Sequence, residues 1–147
     1  MKNNNYTMEE LLSMVQEKAL SYNQERITSA DDVYRALAEY SCKQQEHFML
    51  ITLDGANNII EKRVIFIGTL NQSLVHPREV FRPAIIDNAA GVIVCHNHPS
   101  GTLEASRADV QITQRLKEVA KLVGIELLDH VIISKNGYYS FNDEGML

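Results

Sequence analysis

Cysteine is scarce in this sequence of 147 residues, which contains Cys42 and Cys95 and no Cys-x-x-Cys pair. A disulfide framework or a cysteine-rich zinc module requires more cysteines than this, at characteristic spacings. The sequence therefore argues against both kinds of scaffold and favours a protein of a reducing compartment.

Long apolar runs are also missing from the chain. The N-terminal segment MKNNNYTMEELL lacks the apolar core of a signal peptide, and stretches such as VIFI and AAGVIVC are too short to cross a bilayer. We therefore expect a cytoplasmic protein that makes no use of a membrane.

Basic residues are fewer than acidic ones: 14 Lys and Arg against 19 Asp and Glu give a formal net charge of -5. A protein whose main task is to hold phosphate backbones needs a basic surface, so we expect no tight binding to DNA. The length and the 45% hydrophobic content fit one globular domain with a substantial core.

Patterns typical of helices and strands alternate along the chain, and neither an internal repeat nor a proline-rich linker interrupts them. Apolar residues at intervals of three and four predict helices that begin near Thr7, Ser29, Pro77 and Ser106. The sides predicted to be buried carry Met8, Leu11, Val15 and Ala19 in the first helix, Val33, Leu37 and Tyr40 in the second, Val80, Ala84 and Ile85 in the third, and Ile112, Leu116, Val119 and Val123 in the fourth.

Segments rich in β-branched and aromatic residues predict five strands, at residues 47–54, 59–68, 91–96, 125–134 and 138–141. Turn residues predict a hairpin at each end of this region, and residues 69–76 are predicted to form a loop. We therefore expect an α/β sandwich with a mixed β-sheet and flanking helices, not a doubly wound parallel sheet. Residues 1–43 are predicted to form a helical lead-in, and residues 44–147 the main domain.

Two histidines, His96 and His98, lie where the buried strand GVIVCH ends, just before a Pro-Ser-Gly turn. Residues two apart on a strand point to the same face, so both imidazoles should converge beyond its C-terminal end, where ligand sites of α/β proteins usually lie. A bound divalent metal would explain the pair. Two half-exposed polar side chains at a strand end would explain it as well.

Asp109 offers a third ligand, eleven residues after His98 in the first turn of the helix that begins at Ser106. Two histidines and a carboxylate suit zinc and several other divalent metals. Ser106 and Asp109 would equally form a helix cap, and by itself that explanation suffices. The combination of a strand-end His-x-His, a loop and a capped acid favours a metal site.

The spacing of His96, His98, Ser106 and Asp109 resembles the H-x-H-x7-S-x2-D core of the JAMM metalloprotease motif. The segments HPREVFRPAI, NAAGVIVCHNHPSG, SRADVQITQRL and GIELLDHVIIS closely resemble the bacterial RadC family of the JAB/MPN superfamily, over roughly residues 44–141. The resemblance implies a cytidine-deaminase-like JAB/MPN sandwich in which His96, His98 and Asp109 hold one Zn2+ per chain.

The superfamily also uses a glutamate on an earlier strand as general base. Glu46 begins the first predicted strand and is favoured over Glu79, because the helix dipole alone explains an acid at the start of the third helix. Ser106 is implied to donate a hydrogen bond to the oxyanion. The implied reaction is hydrolysis of an amide or isopeptide bond in a peptide or protein substrate, and a homodimer is left open.

Two features depart from the family pattern. Asn97 stands between the histidines, where many superfamily members have Ser or Thr, and we expect it to point away from the metal. The Gly-rich helix-hairpin-helix region of longer RadC proteins has no counterpart here, so the chain resembles a short, catalytic-domain-only form.

The remaining histidines and Cys95 are predicted to have structural roles. His130 should be a packed residue or one that supports a ligand, and His47 and His76 should lie on the surface or in loops. Cys95 alternates with His96 along the strand and is predicted to be a core thiol.

Two other functions compete with the enzyme. Non-catalytic MPN-type scaffolds exist, although they typically lose the histidines or the acid, which this chain keeps. An accessory role in DNA repair is the other possibility, suggested by the description of the family. The letters HNH do not favour a nuclease, because HNH nucleases spread those residues through a ββα-metal fold. The sequence favours the enzyme.

Overall fold

The computed structural model describes residues 5–22, 25–69 and 75–147. The elements in chain order are α1 (Met8–Tyr22), α2 (Ala30–Ala36), a 3-10 turn (Ala38–Tyr40), β1 (His47–Leu53), β2 (Ile59–Ile67), α3 (Pro77–Ile86), β3 (Gly91–Asn97), α4 (Arg107–Val123), β4 (Glu126–Ser134) and β5 (Gly137–Ser140). Most of the loop predicted at residues 69–76 lies outside the described residues.

The five strands form one mixed sheet in the order β2-β1-β3-β4-β5. The central pair, β3 and β4, is parallel, and the other three pairings are antiparallel. The β1–β2 and β4–β5 hairpins were both predicted from their turn residues, and the mixed α/β sheet with flanking helices is confirmed.

Side chains alternate between the two faces of the sheet, so each central strand contributes to two hydrophobic cores. Helices α3 and α4 cover one face, in a cluster that includes Phe48, Leu50, Val92, Val94, Val80, Phe81, Ala84, Ile112, Leu116 and Ala120. Helix α2 covers the other face, with Val33 and Leu37 packed on Met49, Ile51, Ile93, Cys95, Val131 and Ile133. His96 therefore faces the α4 side, whereas Cys95 is a core thiol on the α2 side.

Five residues predicted to be buried are exposed. Met8, Leu11 and Val15 of α1 are 73%, 44% and 64% exposed, because α1 presents its apolar stripe to solvent instead of to the sheet. Ile85 is 59% exposed because it lies in the last turn of α3, at the edge of the buried face that Val80, Phe81 and Ala84 form. Val123 is exposed because it is the last residue of α4, where the helix leaves the sheet. The side chain of Ala19 lies outside the described residues.

Helix α4 begins and ends as predicted. Ser106 caps its N-terminus, and Gly124 ends it in the left-handed conformation with φ of 75°. The cap places the first turn of α4 beside the C-terminal end of β3. Within residues 5–22, 25–69 and 75–147, we find no helix with the length and apolarity needed to span a membrane.

Candidate metal centre

His96 and His98 converge as the strand periodicity predicts. His96 lies near the end of β3, fully buried between Phe48 of β1 and Ile132 of β4. His98 follows the strand, and its amide donates to the carbonyl of Ile133, which keeps this segment beside β4. The Nε2 atoms of the two histidines are 2.9 Å apart.

Asp109 reaches the same point from the first turn of α4. Its Oδ1 lies 3.2 Å from Nε2 of His96, and its Oδ2 lies 3.3 Å from Nε2 of His98. The same carboxylate accepts the amide of Ser106 at 2.8 Å, while the amide of Asp109 donates to Oγ of Ser106 at 3.1 Å. The cap and the ligand are therefore not alternatives, because one carboxylate serves both.

Glu46 completes the group from the residue that precedes β1. Antiparallel pairing aligns Phe48 with His96, which brings the start of β1 next to the end of β3. Ligand atoms of Glu46, His96 and His98 all lie within 4.8 Å of one another. Glu79 is exposed in the first turn of α3, where it pairs with Arg78 at 3.8 Å. The structure therefore brings Glu46, and not Glu79, to the histidines.

We define the histidine–acid cluster as Glu46, His96, His98 and Asp109. Asn97 supports the backbone that carries Glu46. The side chain of Asn97 is buried and points away from the histidines, as predicted. Its oxygen accepts the amide of His47 at 2.6 Å, and its nitrogen donates to the carbonyl of Gln45 at 2.9 Å. These bonds hold the backbone on both sides of Glu46, so one strand end positions both the histidines and the glutamate.

The turn after β3, which contains Gly101, orients the ring of His98. Nδ1 of His98 lies 2.9 Å from the carbonyl oxygen of Thr102. A carbonyl only accepts, so Nδ1 carries a hydrogen, and Nε2 is the nitrogen that faces the cluster. Gly101 in this turn has φ of +85°, and a Cβ there would lie 2.8 Å from Nδ2 of Asn136. Only glycine fits, because the β4–β5 turn packs directly against it.

His130 supports the cluster from β4, in one of the two roles predicted for it. It is fully buried, its Nε2 lies 2.8 Å from Nδ1 of His96, and its ring stacks on Phe141. Its Nδ1 lies 2.5 Å from Oγ1 of Thr113 on α4. Sequence reasoning missed Thr113, although a polar residue four positions after Asp109 on the buried side of a helix is a usable signal.

The prediction for His47 is wrong. His47 is 9% exposed, its ring packs against Tyr40, and its Nδ1 contacts the carbonyl of Gln45 at 2.8 Å. It is buried because the 3-10 turn that follows α2 covers the start of β1, an arrangement that its position in the sequence does not reveal.

The charges of the cluster are strongly coupled. Burial raises the pKa of Asp109, but the ring nitrogens of His96 and His98 beside it and the hydrogen bond from the Ser106 amide hold it well below its usual range. Burial lowers the pKa of His98, yet the Asp109 carboxylate and the Thr102 carbonyl outweigh this effect, so the pKa is raised. Burial sets the pKa of His130 well below its usual value. The carboxylate of Asp109 is therefore ionised, and His130 is neutral.

The donor set fits a divalent metal. The Nε2 atoms of both histidines face each other, the Asp109 carboxylate and Glu46, so a metal that replaces hydrogen there would meet two imidazole nitrogens with carboxylates beside them. Ligand atoms that lie 2.0–2.1 Å from a tetrahedral zinc ion are roughly 3.3 Å from one another. Oδ1 of Asp109 lies 3.2 Å from Nε2 of His96 and Oδ2 lies 3.3 Å from Nε2 of His98, near this value, whereas the two nitrogens are 2.9 Å apart, which is shorter. His96, His98 and Asp109 therefore offer ligand types that suit a divalent metal, at separations close to those of a zinc site.

The cluster opens onto a cleft of about 470 Å³. Its lining comes from the start of β1, the turn after β3 and the cap of α4: Glu46, His98, Pro99, Ser100, Thr102, Glu104, Ala105 and Ser106. Oγ of Ser106 accepts a hydrogen bond from Asp109, which leaves the hydroxyl hydrogen able to point to a molecule in the cleft.

A family model for a RadC-like JAB domain matches residues 27–146 of the chain. The matched range includes α2, which the sequence analysis placed in the lead-in. A UPF0758 protein of Clostridium perfringens is 49% identical over 131 residues, which cover 88% of this chain and 58% of that protein.

Other species carry similar proteins. A UPF0758 protein of Geobacter sulfurreducens is 42% identical over 139 residues, 94% of this chain and 61% of its own length. A UPF0758 protein of Thermotoga maritima is 46% identical over 123 residues, 84% of this chain and 55% of its own. This chain therefore spans little more than half the length of the curated relatives it matches.

Proposed function

This chain belongs to the RadC-like JAB domain family, and from that membership and its histidine–acid cluster we propose that it is a metal-dependent hydrolase of amide bonds. The JAB family includes metalloproteases, so we propose a peptide or isopeptide bond of a peptide or protein as the substrate. The observation that carries the proposal is that Glu46 and Asp109 both lie close to the paired Nε2 atoms of His96 and His98, beside an open cleft.

We assign the metal to His96, His98 and Asp109, and propose one Zn2+ per chain. The histidine nitrogens and the Asp109 carboxylate are ligands that zinc takes, and their separations of 2.9, 3.2 and 3.3 Å are close to those of a tetrahedral site. When bound, zinc supplies Lewis-acid chemistry that favours the attack of water on a carbonyl group. Both histidines have their second nitrogen engaged, by Thr102 and by His130, as metal-binding histidines usually do.

We assign Glu46 as the general base. Its carboxylate lies close to both histidines and lines the cleft, so it can take a proton from the attacking water and pass it to the leaving amine. Ser106 lines the same cleft, and its hydroxyl hydrogen can stabilise the negative charge that develops on the carbonyl oxygen of the substrate. Neither step requires a residue from outside the described cleft.

Glu46 is near enough to the histidines to act as a ligand itself, and one substitution separates the two roles. Glu46→Gln keeps the size of the side chain and removes its charge. If Glu46 is the base, the variant should bind zinc as wild type does and lose hydrolysis by on the order of 10²–10⁴-fold. Loss of zinc together with activity would make Glu46 a ligand.

The experiment measures bound metal in purified protein and hydrolysis of a broad peptide library by the zinc-loaded protein. Glu79→Gln is the matched control, because it makes the same change at an exposed acid outside the cluster. Hydrolysis by wild type and by Glu79→Gln, with loss in Glu46→Gln and in His96→Ala, is the expected outcome. Failure of wild-type protein to bind zinc supplied in excess would contradict the proposal.

A further inference from the structure

A chain of three hydrogen bonds links two of the assigned metal ligands through residues that do not touch the metal position. Nδ1 of His96 contacts Nε2 of His130 at 2.8 Å, and Nδ1 of His130 contacts Oγ1 of Thr113 at 2.5 Å. Oγ1 of Thr113 in turn donates to the backbone carbonyl of Asp109 at 2.7 Å. All four residues are buried, so water does not supply alternative partners.

The direction of each bond follows from the hydrogens that the atoms possess. The carbonyl oxygen of Asp109 can only accept a hydrogen bond. Oγ1 of Thr113 lies 2.7 Å from it, so the hydroxyl hydrogen of Thr113 must point to that carbonyl. Thr113 can then only accept from His130, which places the hydrogen of His130 on Nδ1. The ring nitrogens of the fully buried His130 face Thr113 and His96, neither of which is a carboxylate, so a second hydrogen on the ring would bury a charge without a counter-ion. With one hydrogen, on Nδ1, the ring has a lone pair on Nε2 that accepts from His96.

From this geometry we propose that Thr113, acting through His130, keeps a hydrogen on Nδ1 of His96 and so makes Nε2 the nitrogen that binds metal. Thr113 and His130 are positioning residues, because neither contacts the cluster's metal position. The supporting partner of a ligand histidine is commonly a carboxylate, a carbonyl or water. Here it is a second imidazole whose own orientation a helix hydroxyl sets.

Removing the hydroxyl of Thr113 should reverse the direction of the hydrogen bond between His130 and His96. In Thr113→Val, a hydrogen on Nδ1 of His130 would be buried against a methyl group without an acceptor, which is costly. The hydrogen moves to Nε2 of His130, which then donates to Nδ1 of His96 and displaces the hydrogen held there. His96 must carry its hydrogen on Nε2, facing Oδ1 of Asp109, and a metal has to displace it. Zinc should bind more weakly, although no assigned ligand has changed.

The first measurement is on metal-free wild-type protein with 15N-labelled histidine. Long-range 1H–15N correlation spectra distinguish protonated from unprotonated imidazole nitrogens. We expect hydrogens on Nδ1 of His96 and on Nδ1 of His130, and a bare Nε2 on His130. A bare Nδ1 on His96 would overturn the inference. This measurement does not depend on metal binding, on activity or on the folding of any variant.

The second measurement is the zinc dissociation constant, from competition with a chromogenic chelator. Thr113→Val should weaken zinc binding by about 10–100-fold, the usual effect of losing a partner of a ligand, and Thr113→Ser should restore it to within about threefold. Thr52→Val is the matched control: Thr52 is equally buried and hydrogen-bonded, to Asp87, but it lies away from the cluster. It should leave zinc binding unchanged.

The zinc measurement rests on the proposed function, whereas the spectra do not, so the two can fail separately. If Thr113→Val and Thr52→Val weaken zinc binding equally, the effect is general destabilisation and the inference is overturned. It is also overturned if Thr113→Val binds zinc as wild type does. If wild-type protein binds no zinc, the proposed function fails, whereas the spectra of the metal-free protein still decide which nitrogen of His96 holds the hydrogen.

Discussion

Two polar groups lie near opposite ends of β1 and differ in the balance of their charges. The histidine–acid cluster, at the C-terminal end of β3, combines two carboxylates with imidazoles whose second nitrogens are already engaged. The arginine cluster, which we define as Thr52, Arg63 and Asp87, lies nearer the other end of β1 and β2. Both Nε and a terminal nitrogen of Arg63 donate to Asp87, which also accepts the hydroxyl of Thr52 at 2.8 Å.

The difference shows how a structural polar group can be told from a functional one. In the arginine cluster, a permanently charged guanidinium and a hydroxyl supply the hydrogens that the carboxylate accepts, so the group is complete within the chain. In the histidine–acid cluster, two carboxylates lie beside imidazoles and no arginine or lysine is among its members, so a bound cation would add the charge that the arginine cluster already contains. We therefore expect metal to change the histidine–acid cluster greatly and the arginine cluster not at all.

The largest effect should come from removing a ligand. His98→Ala and Asp109→Ala should each weaken zinc binding by more than about 100-fold, since even a supporting partner is worth about 10–100-fold. In wild type, zinc at one hundred times its dissociation constant should add about 2.7 kcal/mol to the free energy of unfolding, and this gain should vanish in both variants. Chemical denaturation with and without zinc measures it. A full zinc gain in Asp87→Asn, on the other cluster, is the control.

Breaking the arginine cluster should lower the free energy of unfolding without changing zinc affinity. Arg63→Met removes the guanidinium but keeps an apolar side chain, and leaves the nearly buried carboxylate of Asp87 with the Thr52 hydroxyl alone. We expect a loss of about 2 kcal/mol in the free energy of unfolding, because the charge stays buried without its partner. Zinc affinity should be unchanged. Weaker zinc binding in Arg63→Met would show that the two groups are not independent.

The arginine cluster should also contribute to acid sensitivity. The hydrogen bond from Arg63 holds the pKa of Asp87 below its usual value, against the effect of burial, with Thr52 adding to the decrease. A lowered folded pKa means that the stabilisation is present above the unfolded pKa of about 3.9 and is lost as the pH falls through the folded value. Asp87→Asn should therefore flatten the stability curve below about pH 4. An unchanged slope would contradict this assignment.

A smaller effect should come from Asn97→Ala, which should disturb Glu46 more than the histidines. Asn97→Ala removes the side chain that accepts the His47 amide and donates to Gln45, so the backbone around Glu46 should loosen. Faster hydrogen exchange at the His47 amide, reduced hydrolysis and zinc affinity within about threefold of wild type are expected, since the ligands are untouched. If the His47 amide of Asn97→Ala exchanges as slowly as in wild type, Asn97 does not hold the backbone around Glu46.

The smallest effect should be on nucleic acid. The cleft beside the histidine–acid cluster is lined by Glu46 and Glu104, and no lysine or arginine lines it in the part of the chain that the structure describes. With a net charge of -5 as well, we expect no tight, salt-sensitive binding to duplex DNA near physiological ionic strength. A fluorescence titration with a steep dependence on salt would instead favour a direct DNA-binding role.

Local sequence was a good guide wherever a feature depends on neighbours along the chain. The convergence of His96 and His98 follows from the two-residue period of a strand, and the Ser106–Asp109 cap follows from the geometry of one helical turn. The hairpins and the end of α4 at Gly124 follow from turn residues. The stripe on α1 is an instructive failure, because an amphipathic pattern predicts a helix but does not reveal whether a surface lies opposite its apolar side.

By itself, the sequence determined the elements, the histidine pair and the capped acid, because each is encoded within a few consecutive residues. Only the tertiary structure decided that Glu46, and not Glu79, lies beside the histidines, since the register of β1 against β3 places it there. It alone joined Thr113 to His96 through His130, across a helix and two parallel strands. Such contacts depend on how strands pair and helices pack, and residues distant in sequence meet only when the whole sheet has formed.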